Sequence, residues 1–434
     1  MHYYSLNHQS PIVDFKTATI KGQAPDKGLY FPEYIPKFPV GFIDNINTYS
    51  NEEIAFTAIQ PFVGNTIPTN VLEHIIAETV SFNFPLVNVT DQISSLELFH
   101  GPTLAFKDVG ARFMSRCLGY FVQGNNKPIT ALVATSGDTG GAVASGFYDV
   151  EGVNVVILYP SGKVSSVQEL QLTTLGKNIK AIEVEGNFDD CQNMVKQAFA
   201  DETLNQKRFL TSANSINVAR WLPQQFYYLY AYQQWESKTN PPVICVPSGN
   251  FGNICAGLVA HLQGLPVKHF IAAVNANDSV AKYIANGLYK SQQAVATISN
   301  AMDVGNPSNF VRILELFGNE YPVIKNLISS FSISDEETKA TLKRVYETTG
   351  YLTDPHGAVA FAAIEKYLHI YSLEKGIFLE TAHPVKFYDV VEPIIGQKVE
   401  VPISIKEILE KEKISVKMKA EYVLLKEYLI EENK

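Results

Sequence analysis

Val243-Ile-Cys-Val-Pro-Ser-Gly-Asn-Phe-Gly-Asn253 decides the fold class. Val243–Pro247 is apolar without alternation, the pattern of a strand buried on both faces. Ser248–Asn253 then places two glycines in a turn, and apolar residues recur at helical spacing to about Gln263. Strand, glycine turn and helix together form the unit of a parallel sheet covered on both sides. The glycines let the backbone turn tightly and approach a ligand. Amides at the following helix N-terminus point outward, where the helix dipole favours an anion. The stretch lacks the G-x-G-x-x-G dinucleotide spacing and the Lys-Ser/Thr ending of a P-loop. It reads as a cup for a smaller phosphorylated ligand; a plain strand–turn–helix corner is the alternative that spacing alone leaves open.

The same unit recurs outward from there. Ile129–Thr135 reads as a strand, followed by the turn Thr135-Ser-Gly-Asp-Thr-Gly-Gly141 and a helix to about Tyr148. Strands at Val153–Tyr159 and Ile179–Val184 precede helices near Ser165–Leu175 and Asp189–Asp201, and Val267–Val274 is a further strand. The class is α/β, with parallel sheets carrying helices on both faces and ligands expected beyond the strands' carboxyl ends. Residues 1–85 differ. Proline-containing stretches lead into helices near Asn51–Pro61 and Pro68–Ser81, the first preceded by the capping residues Thr48-Tyr-Ser-Asn-Glu-Glu53. We read 1–85 as an N-terminal subdomain and 86–434 as two α/β domains, the smaller about 100–215 and the larger built from the remainder. Leu86–Thr90 and Ser94–Phe99 suggest a short hairpin. The last 35 residues carry Lys and Glu at helical spacing, which predicts a solvated amphipathic helix.

Composition narrows the function. The chain has 434 residues, is 46% hydrophobic and 18% charged, and carries a net charge of −9. An acidic surface argues against general nucleic-acid binding. No apolar run reaches the roughly 18 residues that span a bilayer, and MHYYSLNHQS lacks the apolar core of a secretory signal. The 4 cysteines form no CxxC pair and read as reduced thiols of a cytoplasmic protein. There is no G-x-S-x-G elbow, no H-E-x-x-H and no Cys/His set with zinc spacing, so no metal is expected.

Other stretches offer chemistry. In Thr135–Gly141, hydroxyls and exposed amides suit a carboxylate or phosphate, with Asp138 as a possible N-cap. Lys107 follows the apolar Leu104-Ala-Phe106 and opens a helix over Val109–Tyr120. Apolar surroundings penalise an ammonium, which makes Lys107 a candidate for Schiff-base or proton-transfer chemistry. Asp108 reads as a helix cap. Ser212-Ala-Asn-Ser-Ile-Asn-Val-Ala-Arg220 sets short polar side chains and an arginine across a strand-to-helix junction, and Arg grips phosphate or carboxylate bidentately. His356, in Thr353-Asp-Pro-His-Gly357, heads a helix as a cap or a pocket wall.

Taken together these stretches resemble one family. His100-Gly-Pro-Thr-Leu-Ala-Phe-Lys-Asp108, Thr135–Gly141, Asn214-Ser-Ile-Asn-Val-Ala-Arg220, Ser248–Asn253, Asp354-Pro-His-Gly357 and Glu380-Thr-Ala-His-Pro384 follow the order seen in threonine synthases. Gly22-Gln-Ala-Pro-Asp-Lys-Gly-Leu-Tyr-Phe-Pro32 resembles that family's N-terminal stretch. The resemblance implies the fold type II architecture of pyridoxal-phosphate enzymes, similar to the tryptophan synthase β chain. It implies a lyase that turns O-phospho-L-homoserine and water into L-threonine and phosphate. Lys107 matches the lysine that bonds to the cofactor aldehyde and then moves protons. Gly249, Asn250, Phe251, Gly252 and Asn253 match the cofactor-phosphate loop, and Thr381 the hydroxyl facing the pyridine nitrogen. Ser136, Gly137, Asp138 and Thr139 match the substrate-carboxylate loop. Asn214, Ser215 and Arg220 match residues facing the cofactor and the substrate phosphate; Arg220 is the first expectation for the phosphate-binding cation and Lys163 the second.

Departures from the family lie in Tyr4–Ser10, in Asp26-Lys-Gly28, and at Asp138, where many fold type II enzymes have Asn; the last leaves Asn214 as a candidate partner of the cofactor hydroxyl. Relatives with such an N-terminal region are often monomers, so a monomer is expected, with a dimer as the alternative. The competing readings are another fold type II lyase, such as a threonine or serine dehydratase, and a non-catalytic relative that binds a phosphorylated amino acid.

Overall fold

The computed structural model describes residues 1–124 and 128–431. Its strands, in chain order, are β1 (His2–Ser5), β2 (Val13–Asp14), β3 (Tyr30–Pro32), β4 (Leu86–Asn88), β5 (Ile93–Glu97), β6 (Ile129–Ala134), β7 (Val153–Pro160), β8 (Ile179–Glu185), β9 (Phe209–Ser212), β10 (Val243–Pro247), β11 (His269–Val274), β12 (Ile328–Ser332), β13 (Gly376–Glu380) and β14 (Val416–Lys419). They form a small sheet in the order β2-β1-β3, a six-stranded sheet β12-β11-β10-β13-β5-β4 and a five-stranded sheet β14-β8-β7-β6-β9. The five-stranded sheet is parallel throughout. The six-stranded sheet is parallel except at its edge, where β4 runs against β5 with Leu86 opposite Leu96, the expected hairpin.

Continuous apolar strands split their side chains between two cores. Val243 and Cys245 share one core with Val359, Phe361 and Ile364 of the helix Pro355–Ile370. Ile244 and Val246 share the other with Ile254, Leu258 and Val259 of the helix Gly252–Gln263. β6 does the same: Ala131 and Val133 join Val109 and Phe113 of the helix Lys107–Val122, while Leu132 and Ala134 join Met194 and Val195 of the helix Phe188–Ala200. Burying one such aliphatic side chain contributes about 1.5–3 kcal/mol, so a polar residue on either face of β6 or β10 would be costly. The N-terminal helices form at Asn51–Val63 and Thr69–Thr79, the first closed by a reciprocal Ser50–Glu53 capping box.

The chain's last segment corrects the expectation of a single solvated helix. It holds a helix Ile403–Leu409, then β14, then a helix Tyr422–Glu431. β14 adds to the five-stranded sheet, with Val416 opposite Ile182, and Leu425 and Leu429 join the core around Met194. Lys417 and Lys419 are exposed while Met418 is buried. That two-residue alternation is short and lies inside a Lys- and Glu-rich stretch. β12 and β13 were likewise unanticipated, and β13 leads into Thr381.

Candidate active site

The Ser248–Asn253 turn follows β10, and the helix Gly252–Gln263 begins within it. Phe251 caps that helix in the left-handed conformation, at φ 60°, a strained choice for an aromatic residue. Gly249 is packed against backbone: a Cβ there would lie 2.7 Å from Met302 Cα and 2.9 Å from the Ala301 carbonyl oxygen. The Asn250 amide is pinned at both ends. Its Nδ2 donates to Ser215 Oγ at 2.9 Å, and its Oδ1 accepts from Ser308 N at 2.6 Å and Ser308 Oγ at 2.8 Å. Asn309 donates to Ser215 Oγ and to the Asn250 carbonyl, at 3.2 and 3.1 Å. Arg312, fully buried, holds this assembly from behind by donating to Asn309 Oδ1, Ser215 O, Ile216 O and Tyr30 O. Inside the cup, Asn253 is buried with its Nδ2 unpartnered, while its Oδ1 accepts from Tyr228 OH. A buried orphan amide beside the free N–H groups of a helix N-terminus is a donor set for an anion.

Lys107 opens the helix Lys107–Val122. A short antiparallel bridge brings β13's end to it: Ala105 pairs with Ala382, Phe106 N donates to Thr381 O at 2.9 Å, and His383 N donates to Leu104 O at 3.0 Å. Thr381 therefore lies against the residue preceding Lys107. Lys107 Nζ sits 4.2 Å from the centre of the Phe106 ring. Among the described residues no carboxylate lies within ion-pair distance of it. Burial, and then the Arg220 charge, push its pKa down to about 8 against an opposing pull from Asp138. Asp108 lies inside the helix and is not its cap. Its carboxylate accepts from Thr103 N at 2.9 Å and Thr103 Oγ1 at 2.6 Å, closing the preceding turn.

Arg220 is fully enclosed behind Lys107. Its Nη1 donates to Ala213 O at 2.7 Å and its Nε has no partner. A Cβ on Gly110 would meet the Arg220 carbonyl at 2.5 Å. Burial pushes the Arg220 pKa down to about 10, so this cation is poised to gain from an incoming anion. Asn214 Nδ2 donates to Ala134 O at 3.1 Å, which ties the end of β9 to the end of β6.

The Thr135–Gly141 loop is organised by Thr135, whose Oγ1 accepts from Gly137 N at 3.0 Å and Gly140 N at 2.8 Å. Gly137, at φ 138° and with the Gln168 side chain 2.4 Å from where its Cβ would stand, caps the following helix. The N-cap expectation for Asp138 is thereby corrected: Asp138 is the first helical residue. Its carboxylate is buried and engaged by Lys386 Nζ at 2.7 Å and Gln168 Nε2 at 2.9 Å. Ser136 and Thr139 remain half-buried at the loop's open side.

Lys386 is fully buried, also donates to Thr103 O at 2.9 Å, and was not anticipated. Lys163, the second phosphate candidate, is exposed in the turn after β7, on the side facing Cys191; it takes no part in this cluster. His356 is buried, with Nδ1 3.1 Å from Asp354 Oδ1 and Nε2 accepting from Ala301 N at 3.2 Å. Asp354 is the cap of that helix, and His356 braces the Ala301 segment that backs Gly249. The missed Arg312 stands in Asn306-Pro-Ser-Asn-Phe-Val-Arg312, whose run of small polar residues was the available signal.

Comparison with known proteins follows the same lines. Residues 95–378 match the family of pyridoxal-phosphate dependent enzymes, residues 2–80 the threonine synthase N terminus, and residues 357–429 the threonine synthase C-terminal region. The threonine synthase of Serratia marcescens is 44% identical over 403 residues, 93% of this chain and 92% of that one. This chain belongs to the threonine synthase family. The crystal structure of threonine synthase from Escherichia coli superposes with a TM-score of 0.92 at 41% identity over 99% of both chains. The threonine synthase of Brucella melitensis, solved with pyridoxal phosphate bound, gives 0.93 at 33% identity, again over 99% of both. The chain is thus a fold type II, pyridoxal-phosphate-dependent lyase of the threonine synthase family. The residues fit that cofactor: the orphan Asn253 amide and the glycine turn suit its phosphate, and a lysine held at about 8 suits its aldehyde. Among the described residues no helix is long and apolar enough to cross a membrane.

Proposed function

We propose that this threonine synthase acts on O-phospho-L-homoserine and water, releasing L-threonine and phosphate by γ-elimination and β-addition. The observation that carries the reading is a lysine amine depressed by burial and by the buried, underused Arg220, on which Asp138 of one glycine-turn helix N-terminus also acts, in a chain with a second such N-terminus after β10. Pyridoxal phosphate, when bound, supplies an electron sink for charge developing on substrate carbon. Gly249, Asn250, Phe251, Gly252 and Asn253 would hold its phosphate, with Thr381 as the residue for its ring nitrogen and Asn214 for its ring hydroxyl. Ser136, Gly137 and Thr139 take the substrate carboxylate, and Asp138 takes part through its backbone, since its negative charge is paired with Lys386 and its Oδ1 accepts from both Lys386 and Gln168. Ser215 braces the phosphate cup through Asn250. Arg220 supplies the positive charge for the substrate phosphate.

Lys107 Nζ moves the protons. It takes one from Cα and returns it, and carries one from Cβ to Cγ as phosphate leaves Cγ. The hydroxyl of water adds at Cβ and its remaining proton goes to phosphate. An amine with a pKa near the working pH both accepts and donates efficiently. The reading keeps residues 1–85 as an N-terminal subdomain and 86–434 as the two-domain catalytic region. The buried free cysteines suit a reducing compartment, and we place the enzyme in the cytoplasm as a monomer. The test is phosphate release from phosphohomoserine by purified enzyme, with ammonia release from threonine measured alongside. Phosphate release with threonine formed is expected. Ammonia from threonine without phosphate from phosphohomoserine would make it a dehydratase, and neither product would make it a binding protein.

A further inference from the structure

Lys386 is a buried cation with a specific job to explain. It is fully enclosed, and its Nζ reaches two acceptors: Asp138 Oδ1 at 2.7 Å and the Thr103 carbonyl at 2.9 Å. Those acceptors sit on the two segments that flank Lys107. Thr103 belongs to the turn leading into Lys107, closed by Asp108, and the same carbonyl accepts from Gln171 Nε2 at 3.0 Å. Asp138 opens the helix behind the Thr135–Gly141 loop and is nine-tenths buried. Taking two charges out of water is costly, and removing one partner alone leaves the other uncompensated. A pair buried here has an electrostatic consequence for whatever charge lies nearby.

We propose that Lys386 is a positioning residue for the reaction, which cancels the charge of Asp138 so that the Lys107 amine faces a neutral pair instead of a bare carboxylate. Asp138 acts on Lys107 in the direction that would keep it protonated, while burial and Arg220 act the other way. Asp138 itself is held below the usual carboxylate range: burial opposes this, but Lys386, Gln168 and the neighbouring His356 outweigh it. Asp108 and His383 also feel Lys386. Among the described residues, these charged and titratable groups bear on the pair and on Lys107. With Lys386 present, the paired carboxylate offers the site the neutrality an asparagine would, and Lys107 stays free to give up its proton.

The inference rests on the reading of Lys107 as the proton-moving amine, so its test reads that amine without turnover. The full-length enzyme is freed of cofactor, the rate of Lys107 modification by a trace amine reagent such as acetic anhydride is followed against pH, and the modified peptide is weighed. The variant K386M leaves Asp138 uncompensated and should slow Lys107 labelling at pH 7 by about tenfold, the effect of one pKa unit. D138N leaves Lys386 uncompensated and should speed it. K386R keeps the charge and should follow the parent. A merely structural role would move K386M and D138N in the same direction. That result, or unchanged labelling in both, overturns the proposal. Should K386M not fold, the decision falls to D138N against D138N/K386M: the double variant must label more slowly than D138N, and equal rates overturn the proposal. If labelling behaves as expected but phosphohomoserine is not turned over, only the proposed reaction fails.

Discussion

Replacing Lys107 with Met should stabilise the cofactor-free protein at neutral pH, and the advantage should fade as pH rises. The folded environment pushes the Lys107 pKa from 10.5 down to about 8, chiefly through burial and then through Arg220. At about 1.36 kcal/mol per pKa unit, that fall corresponds to a cost of about 3 kcal/mol for carrying the ammonium in the folded state. The side chain is half-buried, and solvent screening reduces the figure to about 1–3 kcal/mol. The sign follows from linkage. Below about 8 both folded and unfolded chains hold the proton and the full cost applies. Between about 8 and 10.5 the unfolded chain binds more protons than the folded one, so the parent's stability rises with pH across that window. Methionine carries no charge, so Lys107→Met lacks this rise. Urea denaturation of both proteins without cofactor, at half-unit steps from pH 7 to pH 10, measures the difference; groups that do not interact with Lys107 cancel in it. A stability offset that stays flat over this range, or that widens with pH, would refute the account of Lys107 as a destabilised ammonium. The same variant should show no turnover.

Gly249→Ala puts a methyl 2.7 Å from Met302 Cα; displacing backbone should cost about 1–3 kcal/mol, and apo-enzyme titration should show cofactor affinity falling by about tenfold or more, since that segment backs the phosphate cup. Arg220→Ala should raise KM for the phosphorylated substrate at least tenfold, about 1.4 kcal/mol, and unchanged steady-state kinetics would remove Arg220 from the site. Arg312→Met strips the donors from Asn309 Oδ1 and from the Ser215, Ile216 and Tyr30 carbonyls. Leaving such buried acceptors unpaired costs about 1–3 kcal/mol each before relaxation, so thermal melting should drop well below the parent and cofactor affinity should fall with it.

What could be read from the residues divides along a physical line. β10 and β6 were legible because a strand buried on both faces writes itself as an unbroken apolar run, and the glycine turns after them were legible because close backbone approach excludes a Cβ, as Gly137 and Gly249 both show. The apolar neighbours of Lys107 foreshadowed the lowering of its amine pKa by burial. β14 was not, because its one buried residue, Met418, is flanked by exposed lysines that belong equally to a helix pattern. The site's supports were hidden for a different reason. Arg312 and Lys386 act through partners far away in the chain, Tyr30 and Ser215 for one, Asp138 and Thr103 for the other, and no periodicity encodes such a pairing. A lone cation in a sequence reads as a surface residue, because burying one without a partner costs too much. Only the fold reveals that the partner is there. The candidate ligand residues cluster at turns with local signatures, whereas the buried cations that brace those turns, Arg312 and Lys386, are recruited across the chain. Asp138 joins the two kinds: its loop is a local signature of anion binding, yet its carboxylate is spoken for by Lys386. A residue that looks like a ligand in the sequence is thus held, in the fold, by a lysine 248 positions away.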